Sequence, residues 1–401
     1  MTGSTGPATL GVGMVGYSFM GAVHSQAWRT AGRFFDLPMT PSMVALCGRD
    51  GAAVAAAAER MGWAGSETSW KRLLTRDDVD LVDVCTPGDT HAEIAIAALE
   101  AGKHVLCEKP LANSVAEALD MVRAAETARA RGVRSMVAFN YRRIPAVALA
   151  RTLVAKGRIG TVRHVRAQYL QDWVVDPEFP LVWRLQKDKA GSGALGDIGA
   201  HVIDLAQHVT GSSITSVTGT TETFVTERPL VTEGPTSGLR AGAAGGRGQV
   251  TVDDAALFLT RFDSGALGCF EATRFATGRK NTIRLEVNGS EGSIVFDFEA
   301  MNELQFYDGT EDPETAGFRR VLVTEPGHPY VGAWWPPGHG LGYEHTFTHE
   351  VVDLVTAIGR GEDPAPSFAD GLQVQQVLAA VERSAADGTW QDVPTSSRSA
   401  R

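Results

Sequence analysis

From Leu10 to Phe139 the chain alternates short apolar runs with alanine-rich stretches of helical period. The runs are "LGVGMVG", "SMVALC", "DLVDVC", "KHVLC" and "RSMVAF". Buried strands separated by helices of this length predict a parallel sheet with crossover helices. Helix ends can be placed as well. Thr90 with Glu93 and Ser114 with Glu117 have the spacing of capping boxes, and Gly102 and Gly132 stand where the two helices should stop.

After Tyr141 the pattern changes. One helical stretch, "PAVALARTLVAKG", leads into long strand-like runs such as "TVRHVRAQYLQDW", "AALFLTRF", "ALGCFEATRF" and "NTIRLEVNG". Few helices separate them, so this half is expected to be α+β on a large open, mainly antiparallel sheet. The predicted division is 1–141 and 142–401. A glycine-rich segment at about 232–249 is expected to be a mobile loop, and the tail at about 394–401 to be disordered.

Composition narrows the function. With 401 residues, 43% hydrophobic and 21% charged, the chain has room for two cores. A net charge of −10 without a basic run argues against nucleic acid. No basic start precedes an apolar segment and no apolar run reaches about 18 residues, so neither a leader nor a membrane span is expected and the cytoplasm is the expected location. Cys47, Cys85, Cys107 and Cys269 sit singly in apolar runs. They read as buried hydrophobes outside any disulfide or metal set.

Candidate chemistry begins just after the first strand, where Gly16, Ser18 and Gly21 have the phase of a dinucleotide turn, with serine at the second glycine position. Such a turn lets backbone amides at a helix N-terminus approach a pyrophosphate. At the tip of the second strand stand Gly48, Arg49 and Asp50. Arg49 suits a 2′-phosphate and Asp50 suits ribose hydroxyls, so NAD and NADP are both compatible; Asp50 also fits as a helix cap.

Asp197 and His201 of "GALGDIGAHVIDLAQHVTG" are four residues apart, on one helix face. A carboxylate there can fix the imidazole tautomer and stabilise its protonated form. Lys109, in "LCEKP" at a strand tip, falls where open α/β sheets bind ligands. "HTFTH" has the spacing of a metal pair but lacks an evident third ligand, so no metal is expected.

These residues resemble the glucose–fructose oxidoreductase and inositol dehydrogenase (Gfo/Idh/MocA) family. The motifs are "GYSFMGAVH", "VDVCTPGDTHAEIAIAALEAGKHVLCEKP", "NYRR" and "GDIGAH", spread over nearly the whole chain. The resemblance implies a doubly wound Rossmann domain followed by an α+β domain whose open sheet makes a homo-oligomer, dimer or tetramer. By motif it makes Lys109 the catalytic lysine and Asp197 and His201 the acid and imidazole. It extends the cofactor set to Phe19, Met20, Thr86, Pro87, His91, Glu108 and Lys109.

"YRRIPAVALA", "QYLQDW" and "WRLQKDKAGSGALGD" are most similar to the branch of levoglucosan dehydrogenase-like members, which implies oxidation of a cyclic sugar hydroxyl. "YVGAWWPPGHGLGYEHTF" departs from that branch. Tyr141, Arg142, Gln171, Asp172, Trp173, Trp183, Arg184, Lys187 and His345 are the expected substrate contacts, since sugar rings need aromatic faces and paired hydrogen-bonding groups. Two other readings stay open. One is an NAD-dependent glycosidase working by transient oxidation at ring carbon three; the other is a silent nicotinamide-binding protein.

Overall fold

The computed structural model describes residues 8–231 and 243–394. The chain forms two units. The first comprises residues 1–140 and 342–372, the second 141–341 and 373–401.

In the first unit β1 (Ala8–Val15), α1 (Phe19–Phe34), β2 (Met39–Cys47), α2 (Gly51–Met61), β3 (Gly65–Glu67), α3 (Trp70–Leu74), β4 (Leu81–Val84), α4 (His91–Glu100), β5 (His104–Cys107), α5 (Val115–Arg129) and β6 (Ser135–Val137) follow in turn. All strand pairs are parallel, in the order β3-β2-β1-β4-β5-β6. The order reverses between β1 and β4, which is where a doubly wound sheet opens its ligand crevice. The five apolar runs are all strands; β3, with the sequence GSE, is an addition without an apolar signature.

Ser114 caps α5 as expected, accepting from the Glu117 amide at 3.2 Å and donating to its carboxylate at 2.9 Å. Thr90 does not cap α4. Its hydroxyl donates to the Pro87 carbonyl at 2.8 Å and meets the Thr86 hydroxyl at 2.7 Å, because a 3₁₀ turn over Gly88–Thr90 precedes the helix.

The second unit opens with α6 (Pro145–Ala155), β7 (Val162–Leu170), α7 (Lys187–Ala190) and α8 (Ala200–Thr210), then β8 (Ile214–Glu222), β9 (Glu227–Val231) and β10 (Ala243–Gln249). It continues with β11 (Ala255–Phe262), β12 (Leu267–Thr273), β13 (Thr282–Gly289), β14 (Gly292–Asp297), β15 (Glu303–Asp308) and β16 (Arg319–Leu322). β10 overturns part of the expected mobile loop: 243–249 is a strand, antiparallel to β9, although glycine-rich. Residues 232–242 and the tail from 395 lie outside the described residues.

The main sheet has nine strands in the order β16-β15-β14-β13-β7-β12-β11-β8-β17, where β17 is Gln391–Asp392. Among the described residues only β7 and β12 pair in parallel within it. α6 and α8 pack on one face, and strict alternation on β11 turns Leu257 and Leu259 to the other. Cys269 of β12 also faces outward, so it is exposed, whereas Cys47, Cys85 and Cys107 are buried as expected.

After β16 the chain returns. α9 (Tyr343–Arg360) belongs to the first unit, where Phe347, Val351, Leu354 and Val355 join Leu10, Trp28, Leu46 and Met136 in one core. α10 (Phe368–Asp387) begins in the first unit and ends in the second. The sequence boundary at 141 thus misses a helix, whose apolar period shows that it is buried but not against which sheet. Among the described residues no helix is long and apolar enough to cross a membrane.

Candidate active site

In the first unit the glycine turn is built by crowding. Gly16 has φ +106°, and a Cβ there would lie 2.5 Å from the Cys85 carbonyl oxygen; a Cβ on Gly21 would lie 2.2 Å from the Gly16 carbonyl oxygen. Both positions therefore require glycine. Ser18 does not, since its φ of −76° is open to any residue, and it stands as N-cap of α1. This explains the departure from three glycines. The first-turn amides at Phe19, Met20 and Gly21 have no acceptor within the helix, the arrangement that favours a phosphate.

At the tip of β2 the ring of Tyr17 covers Gly48, where a Cβ would lie 2.0 Å from the ring. Asp50 caps α2 by accepting from the Ala53 amide at 2.9 Å, and Arg49 is exposed beside it. His91 is buried and ties two loops together, Nδ1 to the Pro110 carbonyl and Nε2 to the Thr86 carbonyl, each at 2.9 Å. It shapes the loop of Thr86 and Pro87 from behind.

The end of β5 carries Glu108 and Lys109, with a cis peptide before Pro110. The Glu108 carboxylate takes the Lys109 amide at 2.9 Å on Oε2 and His24 Nε2 at 3.0 Å on Oε1. His24 Nδ1 meets Asp83 at 2.9 Å, and the Trp28 indole donates to the same carboxylate at 2.7 Å. Glu108, expected at the cofactor, thus has both oxygens engaged within the protein.

In the second unit a π-helical turn, Leu195–Gly199, leads into α8 and holds Asp197. Such turns are frequent at functional sites. Asp253 accepts the amides of Gly193 and Leu195 at 2.7 Å each, anchoring the start of this segment. Asp197 lies 3.2 Å from Arg184 and 3.6 Å from the fully buried Arg274. His201 is buried and lies against the rings of Tyr141, at 4.6 Å between centroids, and Tyr169, at 5.8 Å.

From this pair a hydrogen-bonded chain runs outward. The hydroxyls of Tyr141 and Tyr169 are 2.9 Å apart, and Asn281 Oδ1 accepts from Tyr169 at 2.8 Å and from Gln171 Nε2 at 2.7 Å. The Trp173 indole donates to Gln171 at 3.0 Å. Arg184 stacks on Trp183 with 4.4 Å to the ring centre. The second unit thus gathers Tyr141, Gln171, Trp173, Trp183, Arg184, Asp197 and His201.

Other expected contacts stand apart from that chain. Arg142 is buried in a two-pronged ion pair with Asp204. Asp172 accepts from Lys280 at 2.7 Å and from the Gly278 amide at 2.9 Å; the Lys280 bond holds its carboxyl below the usual range. Lys187 is exposed and pairs with Glu382 at 3.1 Å. His345, in the first unit, accepts the Gly342 amide at 3.0 Å, and burial lowers its pKa. His349 of "HTFTH" is buried with its ring edge-on to Phe35.

Arg274, Asp253 and Asn281 escaped the sequence reading, because each acts across a long separation that no local motif announces.

Comparison with known proteins agrees with this architecture. Residues 10–139 match the GFO/IDH/MocA "oxidoreductase family, NAD-binding Rossmann fold", and residues 147–295 match the GFO/IDH/MocA C-terminal domain. Levoglucosan dehydrogenase of Pseudarthrobacter phenanthrenivorans is 44% identical over 388 residues, covering 96% of this chain and 98% of that protein. An oxidoreductase domain protein from Kribbella flavida has a solved structure with a TM-score of 0.92 at 69% identity, covering 96% of this chain and all of that one. Levoglucosan dehydrogenase complexed with NADH and levoglucosan gives 0.90 at 43% identity, covering 96% and 100%. The chain belongs to the GFO/IDH/MocA oxidoreductase family, and its first unit is that family's NAD-binding Rossmann domain.

Proposed function

We infer that the protein is an NAD-dependent dehydrogenase of a ring hydroxyl on a sugar or anhydrosugar, levoglucosan being the first candidate. The observation that carries the reading is the arrangement around His201: an imidazole held by two tyrosines, four residues from a carboxylate clamped by two arginines. The likeness to levoglucosan dehydrogenase over 96% of the chain supports the substrate class.

Gly16, Ser18, Phe19, Met20 and Gly21 would hold the pyrophosphate, Gly48, Arg49 and Asp50 the adenosine ribose, and Thr86 and Pro87 the neighbouring loop edge. The crowding at Gly16 and Gly21 fits that group, since the absence of side chains at these two positions suits close approach of a pyrophosphate to the backbone amides. When bound, NAD supplies the hydride acceptor.

His201 takes the proton of the substrate hydroxyl. Lys109 donates to the same oxygen and stabilises the charge that develops on it, an interaction strengthened where water is excluded. Asp197 supports the imidazolium that results. Gln171, Trp173, Trp183 and Arg184 orient the ring through aromatic faces and hydrogen bonds.

We place the enzyme in the cytoplasm as a homo-oligomer joined through the open sheet face, where Leu257, Leu259 and Leu267 are 48%, 49% and 42% exposed. Light scattering of the purified chain tests the association.

The deciding assay runs levoglucosan, inositols, hexoses and glycosides with NAD and with NADP. Reduction of NAD by an anhydrosugar or hexose is the expected result, and silence across the panel would sink the reading. A glycoside in heavy water with substoichiometric NAD separates the redox-neutral alternative. A dehydrogenase forms one product per NADH, whereas many aglycones per cofactor, with deuterium at carbon two, would assign oxidative glycoside cleavage.

A further inference from the structure

His24, on the inner face of α1, is flanked at both ring nitrogens by carboxylates: Asp83 at 2.9 Å on Nδ1 and Glu108 at 3.0 Å on Nε2. All three side chains are buried. A neutral imidazole carries one N–H, so it can donate to one ionised carboxylate and must present a lone pair to the other. Two carboxylates at hydrogen-bond distance are both satisfied only by an imidazolium.

We propose that His24 is a standing imidazolium whose bond to Glu108 positions Lys109. The Glu108 oxygen not facing His24 accepts the Lys109 amide, so the lysine's backbone is tied through one carboxylate to a ring anchored in α1 and β4. The groups facing His24 are Asp83 from β4, Cys85 just after it, Glu108 just after β5, Phe347 from α9 and, on its own helix, Trp28 through Asp83.

Burial opposes charge on the ring, but the Asp83 carboxylate outweighs it, and the pKa stands well above the ordinary histidine value. With Lys109 the set holds two negative and two positive charges. His24 is therefore a positioning residue, and it also sets the field in which Lys109 holds its proton.

The inference deepens the dehydrogenase reading, since it concerns the lysine of that site, but its test does not depend on turnover. Trace acylation of lysines across pH, read by mass spectrometry, gives a titration midpoint for Lys109, with exposed Lys71 as internal control. His24→Gln removes a positive charge and should raise the Lys109 midpoint by half a pH unit or more. Glu108→Gln removes a negative one and should lower it, and Lys71 should not move in either.

Nitrogen NMR of the labelled wild-type protein should show both His24 ring nitrogens protonated at pH 8. A neutral His24 at that pH, or a Lys109 midpoint unmoved in both variants, would overturn the proposal. If His24→Gln fails to fold, Glu108→Gln and the wild-type spectrum still decide. With levoglucosan, His24→Gln should lower kcat at least tenfold while the Kd for NADH changes less than threefold. If no sugar is oxidised by the wild type, the functional reading falls while the titration still rules on His24.

Discussion

The ring of Tyr141 packs on the imidazole of His201 with 4.6 Å between centroids, while its hydroxyl lies 2.9 Å from that of Tyr169. Tyr141 therefore offers His201 a surface, and its own proton is shared elsewhere. Tyr141→Phe keeps the surface and should lower kcat less than about tenfold. Loss of a positioned acid or base typically costs about 10²–10⁴ in rate. A decrease of that size would make Tyr141 a proton carrier and move weight to the elimination route.

Arg274 is fully buried and lies against Asp197 and the carbonyls of Arg184 and Asp253. Removing one member of a buried ion pair costs about 3–5 kcal/mol, and the lower end applies here because Arg184 still faces Asp197. Arg274→Met should therefore lower the unfolding free energy by about 3 kcal/mol in urea. Turnover should fall more steeply than substrate affinity. A variant as stable as the parent would show that the guanidinium is not an anchor.

Asp50 offers a test that separates two roles of one side chain. Asparagine caps helices as well as aspartate, whereas alanine costs about 1 kcal/mol. Asp50→Asn should keep thermal stability but narrow the preference for NAD over NADP, measured as the ratio of kcat/KM values. Asp50→Ala should lower stability and narrow the preference together. An unchanged coenzyme ratio in Asp50→Asn would leave the residue a cap alone.

The stability contributed by His104 and His345 should fall on acidification from pH 7 to 5, against an opposing gain from His24, whose raised pKa keeps it charged in the folded chain. His104 and His345 both accept a backbone amide on Nδ1, from Arg134 at 2.9 Å and Gly342 at 3.0 Å, and burial lowers the pKa of each below the usual value. The unfolded chain takes up these protons near pH 6.5 while the folded chain resists them. Their full contribution is thus present above that value and declines below it, levelling once the folded rings charge. Compared with the wild type, His104→Gln should lose less stability, read as the urea midpoint, on acidification across this range; an equal pH dependence in the variant would exclude His104 as a source.

Much of the candidate site was legible because its residues are written in local motifs. Lys109 closes an apolar run, and Asp197 and His201 share one helical segment. What escaped is what the tertiary fold supplies. Asp253 and Arg274 reach Asp197's segment from the connections before β11 and after β12, 56 and 77 residues later in the chain (253 − 197 and 274 − 197). Thr90 had the right spacing for a cap, but the 3₁₀ turn before α4 gave its hydroxyl the Pro87 carbonyl and the Thr86 hydroxyl as nearer partners. The glycines of 243–249 read as a loop, yet β9 offered them a strand to pair with.

The return of α9 to the first unit bears on how the protein is made. Phe347, Val351, Leu354 and Val355 complete a core whose other members lie between Leu10 and Ala138. At roughly 5–20 residues per second, translation reaches that helix about 10–45 seconds after the first sheet has emerged. During that interval Trp28 and its neighbours wait with one wall missing. A message cut after residue 141 would yield a chain that hides its apolar face by clumping.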